Sequence, residues 1–430
     1  MTTSDGRDSA TAPRRQRLPK LSHDFRQLWS ASAISQLGTQ VSELAIPLAA
    51  IIALHAGPSG VGALAAMGYL PAAVFGLYAG AWADRLSRRR IMIAADIARL
   101  AVLATVPVAF ALGVLTIGQL YAVAFGVGTL SVFFDTASPA LLPALVARDD
   151  LARANSRLQI SEQGAAVLGP GLAGWLVGSI GAPLAVAADA VSYLASAVFL
   201  GRIRSEPSSG QRADSHGRIH AEIGEGVREV AASKQLRSIA IAAAIINLFG
   251  RMMVVLVPLY LIRDGHYRAF AVGLVFAVGS VGFLIGAAVA DRIVSRIGLG
   301  PAILAGGTVA AVALLLIAAP PARLAGLGTA VAMFFYGVGA LIFTVSNATL
   351  RQTVTPPDLL GRVTSSMRML TWTAQPIAGV LAAWLGTRVG LHGALWIGAL
   401  GALLAPIPLV TGNLARADPS RPTQGPASPA

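Results

Sequence analysis

Residues 80–90 read Gly80-Ala81-Trp82-Ala83-Asp84-Arg85-Leu86-Ser87-Arg88-Arg89-Arg90, a short charged segment between two long apolar runs, 59–82 and 91–112. So many charges in one turn of chain keep the segment in water. Each flanking run, at ~20 residues per crossing, is long enough to span a ~30 Å hydrocarbon layer. Working outward, further runs of this length recur at 27–53, 117–137, 158–179, 183–201, 238–262, 269–290, 300–319, 324–346, 364–386 and 390–411. With the first two, that makes twelve. The expected fold is an all-α membrane protein with twelve transmembrane helices in two pseudo-symmetric six-helix bundles.

The halves echo each other. Asp84-Arg85 returns as Asp291-Arg292, 207 positions later. At an offset of 208, Ala140, Val146, Asp150-Leu151 and Gly171 meet Ala348, Val354, Asp358-Leu359 and Gly379, and Ile46-Pro47-Leu48 is echoed by Val257-Pro258-Leu259. A parallel repeat of six helices predicts two halves related about the membrane normal, with a site between them. The division expected is a cytoplasmic tail over 1–24, a six-helix bundle over 25–201, a linker over 202–237, a second bundle over 238–411 and a tail over 412–430. Within the linker, 219–236 has apolar residues at helical spacing and is expected to lie on the membrane surface.

Composition agrees. Hydrophobic residues are 55% and charged residues 12% of the 430, about half the ~25% charged share of a soluble domain. All but seven of the 33 basic residues fall in the tails and on one set of alternate loops; the exceptions are Arg99, Arg251, Arg263, Arg268, Arg323, Arg368 and Arg388. By the positive-inside rule both termini are cytoplasmic, and the membrane expected is the cell membrane. The net charge of +13 is spread between apolar runs rather than gathered on one face, which argues against nucleic acid as a partner. With no cysteine, thiolate metal sites and disulfides are excluded. The segment before the first run leads into Glu43 and Pro47 and is a poor match to a cleavable signal.

The loop at 80–90 resembles the G-x-x-x-D-R-x-G-R-R-R signature of the major facilitator superfamily, with Ser87 in place of the usual glycine, and 287–296 is its degenerate second copy. The resemblance implies an inner gate in which Asp84, Arg85, Arg88, Arg89, Asp291 and Arg292 hold one end shut. Gly164 to Gly174 runs Gly-x-x-x-x-Gly-Pro-Gly-x-x-Gly, and Gly164, Gly169, Pro170 and Gly174 resemble the antiporter motif of drug exporters. Phe133-Phe134-Asp135, Leu142-Pro143, Arg153-Ala154-Asn155 and Gly361-Arg362-Val363 look like the twelve-helix drug:proton antiporter branch that holds macrolide-efflux and enterobactin-exporter-like proteins. The resemblance implies a secondary transporter that exports a small amphipathic organic molecule (drug, siderophore or secondary metabolite) by proton antiport with alternating access. No cofactor is expected beyond the proton gradient, and a monomer suffices. A solute importer or a lipid-translocating relative shares the fold and stays open. The arginine that such antiporters carry in span four is missing, because 117–137 holds no basic residue.

Charges inside spans cost ~2.5–3.5 kcal/mol each at the bilayer centre, so such residues face a cavity, pair or lose their charge. Asp96 and Arg99 stand at i, i+3 and are expected to pair with each other. Asp135 and Glu162 sit near the inner boundary and are expected to cap or brace helices. Glu43, Arg251 and Asp189 are the proton-coupling candidates. Glu43 lies ~21 Å beyond the inner edge of its span, and Arg251 is one turn from it in depth on the matching helix, so the two are expected to pair across the cavity. Gln36, Gln40, Asn247, Tyr336, Asn347, Trp372 and Gln375 are the polar or aromatic residues expected to line that cavity. No cluster of cationic residues among them suggests a phosphate ester. Neither lysine closes a nucleotide-binding loop, and five of the six histidines fall outside the spans while the sixth, His392, stands alone at the start of the last, which removes an ATP-driven pump and an intramembrane histidine enzyme from consideration.

Overall fold

The computed structural model describes residues 22–83, 87–204, 219–319 and 324–412. Among these, fourteen α-helices succeed one another: α1 (His23–Ile52), α2 (Pro58–Ala83), α3 (Arg88–Ala111), α4 (Ile117–Leu141), α5 (Leu151–Ile180), α6 (Ala182–Gly201), α7 (Ile219–Ala232), α8 (Lys234–Arg263), α9 (Ala269–Ile297), α10 (Leu299–Ala318), α11 (Ala325–Val354), α12 (Leu360–Arg388), α13 (Gly390–Ala402) and α14 (Pro406–Thr411). Helices α1 to α6 pack into one bundle and α8 to α14 into another, the last two together forming one interrupted segment. Helix α7 is short and lies against the start of α12. There, Arg362 donates to Glu225 Oε2 at 2.6 Å, a partly exposed pair of small energetic weight.

Nine segments among the described residues are long and apolar enough to cross a membrane. The three that fall short are α1, α5 and α12, and the reason is polarity rather than length. Each has 29 or 30 residues, about 45 Å of helix. Helix α1 carries Gln36, Gln40 and Glu43, α5 carries Arg157, Gln159, Glu162 and Gln163, and α12 carries Arg362, Arg368 and Gln375. These three helices stand where the bundles meet: α5 packs on α9, α12 on α2, and α1 touches α8.

The repeat seen in sequence is built into the backbone. The turn after α1 and the turn after α8 each contain a histidine in the left-handed region, His55 (φ 52°) and His266 (φ 54°), 211 positions apart. The same long-range turn bond follows each: Ala56 N–H donates to Ala50 O at 2.8 Å, and Tyr267 N–H to Leu261 O at 2.9 Å. Gly181 (φ 87°) and Gly390 (φ 76°) likewise open the final segment of each half; left-handed φ of this kind is readily available only to glycine.

The bundles meet along two glycine crossings. A methyl added to Gly62 of α2 would lie 2.6 Å from Gly379 O and 2.5 Å from Ala383 N of α12. One added to Gly273 of α9 would lie 2.5 Å from Pro170 O of α5. Backbones this close leave no room for a Cβ, as in small-residue packing between spanning helices. Both crossings lie toward the end of the molecule opposite α7. At that end Arg263 also bridges the halves, donating to His55 O at 2.6 Å and Ala56 O at 3.1 Å.

Candidate functional site

With the crossings closing one end, the space between the halves reaches inward from the α7 end. On α5, Ser156, Arg157, Gln159, Glu162 and Gln163 are exposed along that approach. Glu43 stands deep within the bundle on α1 and yet is exposed, the combination expected of a residue lining a cavity. Its carboxylate accepts from Gln40 Nε2 at 3.3 Å.

Facing it, Arg251 of α8 reaches across to the first half. Its Nη1 donates to the Tyr69 hydroxyl of α2 at 3.3 Å, and its guanidinium lies over the Tyr69 ring 5.0 Å from the centroid. Behind it Tyr336 of α11 packs its hydroxyl end on Gly250, with its ring edge-on to Phe283 at 6.1 Å and 85°. Glu43 and Arg251 are close enough for their charges to interact. They do not form the direct pair expected from sequence, because the phenol of α2 takes the guanidinium in this state. Tyr69 was missed in the sequence reading; the signal was there, since a tyrosine inside an apolar run still needs a partner for its hydroxyl.

Asp189 does not share this space. It is fully buried between α1 and α6, accepts from Ser192 Oγ at 3.0 Å and packs against Gly38. It belongs to a polar core inside the first half, centred on Arg99. Asp96 and Arg99 form the expected ion pair, both buried. The guanidinium is held between the rings of Tyr193 at 4.2 Å and Phe134 at 4.4 Å, an arrangement favoured by cation–π attraction. Asp135 and Asp189 both lie within electrostatic reach of the same arginine. Of the three coupling candidates, then, Glu43 and Arg251 meet at the cavity and Asp189 stands behind its wall.

The remaining candidates divide as follows. Gln36 and Gln40 lie on the α1 stripe that leads to Glu43, and Gly169 of α5 packs directly on Gln40. Asn247 donates to Ala243 O of its own helix at 2.8 Å. Trp372 of α12 presses on Gly76 of α2 and carries Arg368 over its ring at 5.0 Å; Gln375 lies one turn further along and is half-buried. Within the Gly-Pro motif, Gly164 has open space where a Cβ would be, whereas Pro170 and Gly174 form the α5 side of the crossing with α9.

In the loop motif, Asp84 and Arg85 lie outside the described residues. Arg88 Nη1 donates to Ala140 O at 2.7 Å, and Arg89 donates to Leu200 O at 2.9 Å and Gly201 O at 2.5 Å. These are the last carbonyls of α4 and α6, where a cation is favoured by the helix dipole. Both arginines thus fasten helix ends within the first half. Asp291 and Arg292, the second copy, are exposed. No group of three or more metal-ligating side chains occurs among the described residues.

Known proteins resemble this chain along nearly its whole length. The family model described as Major Facilitator Superfamily matches residues 28–374. The chain belongs to the major facilitator superfamily. It is 30% identical over 378 residues to the multidrug efflux pump Tap of Mycolicibacterium fortuitum, covering 84% of this chain and 89% of that one. The fold is shared with the nucleoside transporter NupG (TM-score 0.74, 12% identity, 91% of this chain and 99% of that one). It is shared equally with a bacterial homologue of the iron transporter ferroportin in its inward-facing state (TM-score 0.73, 18% identity, 94% and 100%). This superfamily member is therefore a multi-pass membrane transporter of a small-molecule substrate.

Proposed function

We propose that this transporter expels small amphipathic organic molecules from the cell by alternating access, in exchange for protons. The observation that carries the reading is Glu43: a carboxylate deep in the bundle, open to the cavity, answered by an arginine of the other half that is held by a phenol. Protonation of Glu43 removes the attraction for Arg251, and deprotonation restores it, so the proton occupancy of one residue biases how tightly the halves hold together. A cavity edged by Tyr69, Tyr336, Gln40 and Glu43 suits a substrate with an aromatic or aliphatic body and a polar or cationic group. Resemblance to Tap over most of both chains supports outward transport of drug-like cargo.

In this reading α1, α5 and α12 also cross the bilayer, which gives twelve spans in all. Both termini and α7 face the cytoplasm, the transporter lies in the cell membrane and it acts as a monomer. The conformation described is then open to the cytoplasm, with the glycine crossings sealing the outside. The loop residues Asp84, Arg85, Asp291 and Arg292 form the inner gate of that end in this reading.

The test is accumulation of a cationic fluorescent dye in cells producing the protein, with the proton gradient intact or collapsed, beside the Glu43→Gln variant. Proton-driven export predicts low accumulation that rises on collapse, and loss of about tenfold or more in efflux rate for Glu43→Gln. Full gradient-driven efflux in that variant rejects the role of Glu43, and gradient-dependent uptake of dye rejects export.

A further inference from the structure

A second cavity is lined by helices of the other half. At the α7 end, α8, α11 and α12 enclose a cavity of about 230 Å³ lined by Asn347, Arg351, Thr364, Met367, Arg368 and Thr371. Two arginines from different helices thus line one small space, and no carboxylate is among the lining residues. Seventeen positions separate them in the chain, which is why no cationic cluster is visible in the sequence.

Among the described residues, neither guanidinium is matched by an acid. Arg351 is half-buried; its Nη1 meets only the Met367 sulfur, at 3.5 Å, and its Nε has no partner. A thioether is a weak acceptor for such a donor. Arg368 rests on the Trp372 ring, which steadies the guanidinium without neutralising it. Asn347 is buried with its Oδ1 also unpartnered. The contrast is Arg362 on the same helix, which has Glu225 within 2.6 Å. Arg368 is exposed, whereas the half-buried Arg351 holds an unmatched charge beside apolar helices, and a pair of guanidinium forks with hydroxyls at hand matches the geometry of phosphate oxygens.

We infer that this cavity binds a phosphate-bearing anion, held by Arg351 and Arg368 with Asn347, Thr364 and Thr371 completing the polar wall. Two sources offer that chemistry, the headgroup of an anionic phospholipid and a soluble phosphate. Basic pockets between spanning helices at the cytoplasmic side are a recurrent solution for the first.

The experiment uses the purified full chain in phosphatidylcholine nanodiscs, with thermal unfolding followed in three conditions: no addition, inorganic phosphate, and phosphatidylglycerol mixed into the disc. The wild-type midpoint is expected to rise by a few degrees with at least one of the two. That rise is expected to vanish in Arg351→Gln/Arg368→Gln and to persist in Arg362→Gln. A response to phosphatidylglycerol alone assigns the lipid, and a response to inorganic phosphate assigns the soluble anion. No rise with either, or an equal loss in Arg362→Gln, overturns the inference. Where the double variant fails to fold, Arg351→Lys is measured instead. It keeps the charge and loses the fork, and about tenfold weaker binding is expected.

Discussion

Arg99 shows how much of this protein's polarity is structural. It is fully enclosed, paired with Asp96, stacked between two rings, and within reach of two further carboxylates. Removing one partner of a buried pair leaves the other charge stranded and typically costs 3–5 kcal/mol. Arg99→Met is therefore expected to lower the unfolding midpoint in detergent markedly, and Asp96→Asn/Arg99→Met to recover part of the loss. A single variant as stable as the wild type would mean that the remaining aspartates already carry protons in the folded state. The i, i+3 spacing made this pair legible in the sequence. The Arg251–Tyr69 contact was not, because it joins residues 182 positions apart whose meeting depends on how two whole bundles dock.

At the scale of elements, hydropathy located the spans because a lipid-facing helix must be apolar along its length, and it was least informative for α1, α5 and α12, which carry polar side chains and stand where the bundles meet. The Gly-x-x-x-x-Gly-Pro-Gly-x-x-Gly run told of close packing, and the structure supplies the partner: Gly174 and Pro170 against Gly273. Gly171, which the 208-residue offset pairs with Gly379, has only an ordinary contact with Ala277 at 3.8 Å, so on α5 the close approach falls to its neighbours Pro170 and Gly174. Gly273→Val is expected to wedge α5 from α9. Overpacking of this kind costs about 1–3 kcal/mol, which on a two-state equilibrium shifts populations by roughly 5- to 150-fold. Transport should fall, while single-cysteine labelling at that end of the molecule rises. Unchanged labelling would show that the crossing stays closed by other means.

For the whole molecule, sidedness is the quantity to measure. The natural absence of cysteine makes the chain its own background for thiol labelling. Gln159→Cys, exposed on the open face of α5, should react with a membrane-impermeant maleimide in inside-out vesicles and not in intact cells. Reaction in intact cells instead would invert the orientation and, with it, the direction assigned to the cavity.

The matched turns at His55 and His266 have a consequence for ancestry. A chain of half this length, docked on a copy of itself, would form the same two glycine crossings by symmetry, but its equivalent helices would then present identical side chains to the shared space. Two glutamates, or two arginines, would face each other at the centre. A single polypeptide is free of that constraint, so one half can keep an acid at position 43 while the other carries a base one turn away at 251.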